Sequence, residues 1–294
     1  MKHHTLSALF ASLCLLIATG CEKESGNTPA EPDLPDTPVN LELPADPKPE
    51  NTSFPHRILL IQHTGTACPN CPGLMSSLKE LSEDKSYAEK YHHVAAHSYN
   101  EGGIGDAAYS QAAKNLSQAF CSDYYPELTF NLTKKSTGTS IAVNTIKEEI
   151  DIRHKDTANA GITAATQLSD QTLGIKVGIK AAEAGTYRIA AWLLEDNILS
   201  KQENAREEWQ NTHSNAIRAM AGKTLNVRIY GEKIGEMNTG DTAETSFSIE
   251  LENAWKPENC KVLILVNALK SDGTYDVVNC ALCPINGTLE YQYK

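Results

Sequence analysis

Between the apolar run RILLIQHT and a set of regularly spaced leucines, the chain reads TGTACPNCPG, with Cys68 and Cys71 three residues apart. No other stretch constrains the fold as much. A short, nearly unbroken apolar run is consistent with a buried strand. Leu74, Leu78 and Leu81 recur at helical spacing, so a helix begins near the second cysteine. Pro72 suits its first turn, where a missing N–H has no intrahelical partner to lose. Cys68 then sits at a helix N-terminus, where free N–H groups and the dipole favour a thiolate. Two thiols in this setting are a redox couple, half of a metal site or an inert staple.

The compartment narrows the choice. Residues 1–20 read as a signal peptide: Lys2 is a positive start, and Leu6 to Ile17 is an apolar core too short to span a membrane. The sequence IATGC resembles a bacterial lipobox, in which Cys21 is lipidated and becomes the new N-terminus, although Ala18 stands where Leu is usual. Several acyl chains on one cysteine anchor firmly, whereas one binds marginally. No later segment has eighteen consecutive apolar residues, so the membrane partner is reached through Cys21. An exported chain lives where disulfides persist.

Residues 21–53 read as an acidic tether. Eight of the 13 prolines lie between Pro29 and Pro55, among six acidic residues, a composition that favours extended chain over a core. The net charge is -11 and no basic stretch occurs, which excludes nucleic acid as a partner. There is no Gly-rich phosphate loop and no nucleophile elbow, so no cofactor is expected. His92, His93 and His97 flank a strand candidate, with His93 and His97 on one face. No carboxylate stands at motif spacing from them, and no metal site is expected.

The segment YYPELTFNL, residues 124–132, resembles the thioredoxin-family stretch in which a cis-proline precedes a strand and faces the cysteine pair. The resemblance implies a cis Tyr125–Pro126 bond and a Tyr125 backbone offered to an incoming peptide. An intervening insert is expected to be helical from about Asp106 to Phe120. The chain as a whole resembles the twenty-eight-kilodalton outer-membrane lipoprotein family of Gram-negative bacteria. TGTACPNCP, from Thr64, carries the match, with HSNAIRAMAG, from His213, in support. This implies a thioredoxin-like α/β domain over 54–158, a C-terminal β-domain, and an outer-membrane location facing the periplasm or the cell surface. Two positions depart from thioredoxins. Ala67 stands where Trp usually precedes the first cysteine, and Gln62 where a buried acid usually moves protons. His63 is the neighbouring substitute.

From residue 159 to 294, short β-branched or alternating runs are separated by Gly, Asp and Asn, which predicts an antiparallel, immunoglobulin-like sandwich of seven or eight strands. TLNVRIYG is among those strand candidates. SKQENAREEWQNTHSNAIRAMAG interrupts them as a long loop or helical excursion. Trp192 is expected in the core. KVLILVNAL and TYDVV flank the turn KSDG, and pairing them places Cys283 opposite Val262. A small bulge would then align Cys260 with Cys283 at disulfide distance; Cys280–Cys283 is the alternative pairing. Cys121 is either a third thiol near the first pair or a buried one.

Two functions follow. One is thiol–disulfide exchange on exported proteins, with Cys68 attacking, Cys71 resolving, and Pro126 and Tyr125 shaping the site. Cys68 is then expected to be the more exposed of the pair. The other is a surface binding or structural lipoprotein in which Cys68–Cys71 is a permanent disulfide.

Overall fold

The protein was analysed as a computed structural model that describes residues 41–102, 105–137 and 141–294. The first strand, β1 (Ile58–Thr64), is buried along its whole length. It leads through the cysteine turn into α1 (Cys71–Glu83), whose Leu74, Leu78 and Leu81 are buried as their spacing predicts. β2 (Tyr91–His97) lies parallel to β1. The insert is helical only in α2 (Gln111–Phe120), because the Ser110 hydroxyl accepts the Ala113 N–H and starts the helix there. Asp106 is therefore outside the helix. β3 (Glu127–Phe130), β4 (Lys134–Thr137) and α3 (Val143–Arg153) complete the first half.

The second half contributes the hairpin β5 (Ala160–Ser169) and β6 (Thr172–Ala181), then β7 (Gly185–Glu195) and the short β8 (Ile198–Leu199), β9 (Thr212–His213) and β10 (Ala216–Met220). Next come α4 (Leu225–Tyr230), β11 (Glu232–Met237), β12 (Thr242–Glu250), β13 (Cys260–Leu269), β14 (Tyr275–Pro284) and β15 (Thr288–Leu289). The strand expected over TLNVRIYG is a helix. Thr224 caps its start by accepting the Val227 N–H, and Gly231, at φ +92°, ends it. Two caps override an alternating pattern.

Among the described residues, one nine-stranded sheet runs in the order β14-β13-β7-β10-β2-β1-β3-β4, with β11 beside β7. A second sheet has the order β12-β6-β5-β15. The two sheets face each other across Ile162, Ile175 and Val177 on one side and Ile189, Leu193, Val262 and Ile264 on the other. The larger sheet passes without a break through both halves, joined where Ala216 of β10 pairs with Ala95 of β2. On one face, Leu59 and Ile61 share a core with Trp192, Leu263 and Leu265 beneath α2. On the other, Leu60 and Leu128 pack under α1 and α3. The described residues thus form one compact unit rather than parting at residue 158.

Two expectations are corrected here. Residues 41–53, assigned to the tether, are docked. Lys180 is buried in β6, and its ammonium donates to Asp46 at 2.7 Å, to Tyr293 at 3.1 Å and to the Lys48 carbonyl at 3.2 Å. The part of the tether before residue 41, and Cys21 with it, lies outside the described residues. The Cys260–Cys283 bridge is absent as well: both thiols are free and buried. Cys283 does lie opposite Val262, but the bulge falls between Val266 and Asn267, at the turn end, so it never draws Cys283 toward Cys260. Cys280 points to the opposite face of β14 from Cys283, which rules out the alternative pairing. Burial pushes the Cys260 and Cys280 thiols up to about 12 and Cys283 to about 11, so all three are inert.

The docked arm gives a direct test. Asp46→Ala leaves the Lys180 ammonium buried without its ion-pair partner and should cost about 3 kcal/mol in urea unfolding. Asp46→Ala combined with Lys180→Met should recover most of that loss.

Candidate functional site

β1 delivers its C-terminal end to the turn Gly65–Asn70, and α1 leaves from Cys71 with Pro72 in its first turn, as expected. Cys68 and Cys71 are joined as a disulfide, with Cα atoms 5.5 Å apart. β3 runs antiparallel to β1 with Glu127 opposite His63, so Pro126 reaches the same sheet end as the cysteines. The Tyr125–Pro126 bond is cis. The Tyr125 hydroxyl lies 3.0 Å from Ser98 Oγ, and its ring meets Tyr99 edge-on. His63 is buried on the α2 face of β1, between Ser117 and Thr129. Cys121 is half-buried at the end of α2, its thiol pushed up to about 11 by burial and the neighbouring Glu127.

The expectation that Cys68 is the exposed thiol is not met. Cys68 is 1% exposed and Cys71 is 0% exposed. The turn that carries them is held by the long polar segment after β8, residues 200–211, here called the strap. Gln202 Nε2 lies 3.0 Å from the Cys68 carbonyl and 3.1 Å from that of Thr66. The Glu203 N–H donates to Thr66 O at 2.7 Å, and Gln210 Nε2 donates to Pro72 O at 2.9 Å. Asn211 closes the strap on itself, its side chain accepting the Gln202 N–H and its carbonyl the Ser200 N–H. From the other side, Asp106 accepts the N–H groups of Thr66 and Ala108 and the His97 Nδ1–H at 3.0 Å. Burial opposes the Asp106 charge, but His97 and these two N–H groups hold its pKa at about 2.

His97 therefore has a carboxylate partner, nine residues along the chain, that no motif spacing announced. Neither Asp106 nor the strap glutamines were picked out from sequence. The available signal was the length and polarity of 200–211, since long loops inside compact domains are usually functional. His93 and His97 do share a face, but four residues of strand separate them by about 13 Å, too far for one ion. Among the described residues, no three His, Cys, Asp or Glu side chains stand close enough to hold a metal.

Comparison with known proteins locates this arrangement. The family of outer membrane protein Omp28 matches residues 113–284, more than half of the chain. The chain belongs to the Omp28 family. The match includes the strap and begins after the cysteine turn. Membership puts the chain among outer membrane proteins, as the resemblance implied. Among solved structures, HBP35 of Porphyromonas gingivalis superposes with a TM-score of 0.63 at 14% identity, over 80% of this chain and 77% of that one. A protein of Agrobacterium tumefaciens aligns at 12% identity over 81% of this chain and 97% of its own, with a TM-score of 0.48. The HBP35 likeness is one of fold. No curated protein matches the chain.

Buried and half-buried imidazoles make stability depend on pH. Burial pushes His56, His92, His93 and His213 down to about 4. An unfolded histidine titrates near 6.5, so between about pH 6.5 and 4 the unfolded chain binds more protons, and acid favours unfolding. The melting temperature should fall by several degrees from pH 7 to 4.5, and His93→Gln with His213→Gln should flatten that slope. A melting temperature constant over this range would contradict the neutral assignment of these rings.

Proposed function

We propose that this Omp28-family protein is a lipid-anchored binding protein of the outer membrane. On this reading, its thioredoxin-like first half is a scaffold, and Cys68–Cys71 is a structural clasp rather than an exchange site. The observation that carries the reading is the burial of both cysteines in a turn whose carbonyls the strap holds. Thiol–disulfide exchange proceeds by attack of a thiolate on a disulfide sulfur, so it requires access to that sulfur. Here the carbonyls of Thr66, Cys68 and Pro72 are all taken by donors of the strap. Exposing the pair means breaking those bonds, each costing about 1–3 kcal/mol if its buried group is left unpaired. The anchor follows from Cys21 in its lipobox-like setting.

Dithiothreitol should reduce the native disulfide far more slowly than the urea-unfolded one. In the Gln202→Ala, Gln210→Ala double variant, native reduction should speed up at least about tenfold, the equivalent of 1.4 kcal/mol. A wild-type pair reduced as fast folded as unfolded would replace the clasp with the exchange reading. Separately, Cys21→Ser should move the protein from membranes to the soluble fraction; full retention would remove the lipid anchor.

A further inference from the structure

Beside the clasp, between the sheet face and α1, lies an open cavity of about 260 Å³ whose far wall is Trp209 and residues 212–215. It opens where the α1-facing residues of β1 change from apolar Ile58 and Leu60 to polar Gln62 and Thr64. It is smaller than the roughly 300–1,000 Å³ of pockets that take drug-sized ligands, so its occupant is small.

Two N–H donors on its walls have no partner among the described residues. Gln62 is 4% exposed, and its Nε2 is buried and unpaired, as is Nε1 of Trp209. An indole N–H only donates, so the occupant brings an acceptor to it. Lys79 is the one residue of full charge on the walls, its ammonium 5.9 Å from the Trp209 ring centroid and ion-paired with Glu83, and no Asp or Glu lines the cavity. The preference for an acceptor therefore rests on the two unpaired N–H groups.

The imidazoles supply the opposite need. His93 Nε2 stands 3.2 Å from Gln62 Oε1, and His213 Nε2 stands 2.9 Å from the Ser200 carbonyl. Both partners are acceptors, so each Nε2 carries the proton and each Nδ1 keeps a lone pair. Burial keeps both rings neutral at pH 7. His97 is oriented alike by Asp106, which leaves Nε2 as its unused nitrogen. Between the two polar sets, Met75, Leu78 and Ala95 provide an apolar wall.

We infer that this cavity binds a free α-amino acid with an apolar side chain. The carboxylate meets Trp209 and Gln62, the ammonium meets the ring nitrogens of His97 and His213, whose ring centroids are 4.8 Å apart, and the side chain lies on Met75 and Leu78. This deepens the binding function proposed above and rests on that reading.

Isothermal titration of the whole mature protein with L-leucine tests it. Leucine should bind, with 4-methylvalerate, which lacks the ammonium, and leucinamide, which lacks the carboxylate, each at least tenfold weaker. Trp209→Phe, which keeps the ring but not the N–H, should weaken leucine at least tenfold while the circular dichroism spectrum is unchanged. Equal affinity for leucine and 4-methylvalerate overturns the amino-acid assignment. So does the absence of binding by leucine, methionine and phenylalanine alike. The clasp is read by disulfide reduction instead, so an inert disulfide with no leucine binding removes only this inference.

Discussion

The arrangement turns on the amide of one glutamine. Gly65, Thr66 and Cys68 are buried in the turn joining β1 to α1, and buried carbonyls require donors. Gln202, 134 residues beyond Cys68, supplies them to Thr66 and Cys68. A segment of the second half thereby becomes part of the first half's tightest turn. The single sheet shared by both halves follows the same logic: β10 emerges from the strap and is inserted between β7 and β2. The bond is not cost-free, since Gln202 Oε1 is itself buried without a partner among the described residues.

The same constraint separates fold from chemistry. A strand, a cysteine pair at a helix start and a proline at the same sheet end are the parts of an exchange site. Exchange also needs a reachable sulfur and a route for protons. Burial of both cysteines removes the first. For the second, the position where thioredoxins bury an acid holds Gln62, whose side chain faces His93 in the neighbouring cavity. His63, one residue on, is held by hydroxyls on the opposite face.

Much of this was legible in the sequence where physics is local. The start of α1 followed from leucine spacing and Pro72, and the facing of Cys283 and Val262 from the position of one turn. What escaped depends on distant partners. The expected facing of Cys283 and Val262 survives because the bulge after Val266 offsets a one-residue shift at the turn, and nothing in the sequence places that bulge. Alternation in TLNVRIYG is outweighed by caps at Thr224 and Gly231. Residues 41–53 look like tether by composition, yet Asp46 neutralises a lysine buried in β6. Asp106 and Gln202 are ordinary polar residues until the fold brings buried N–H and C=O groups to them.

The most direct measurement is the reduction potential of Cys68–Cys71 in the folded protein. Structural disulfides lie below about -300 mV, whereas strained or exposed pairs and exchange catalysts lie higher. The buried clasp predicts a value below about -300 mV. A value near that of exchange proteins, about -180 to -270 mV, would contradict it and show that the strap does not seal the pair.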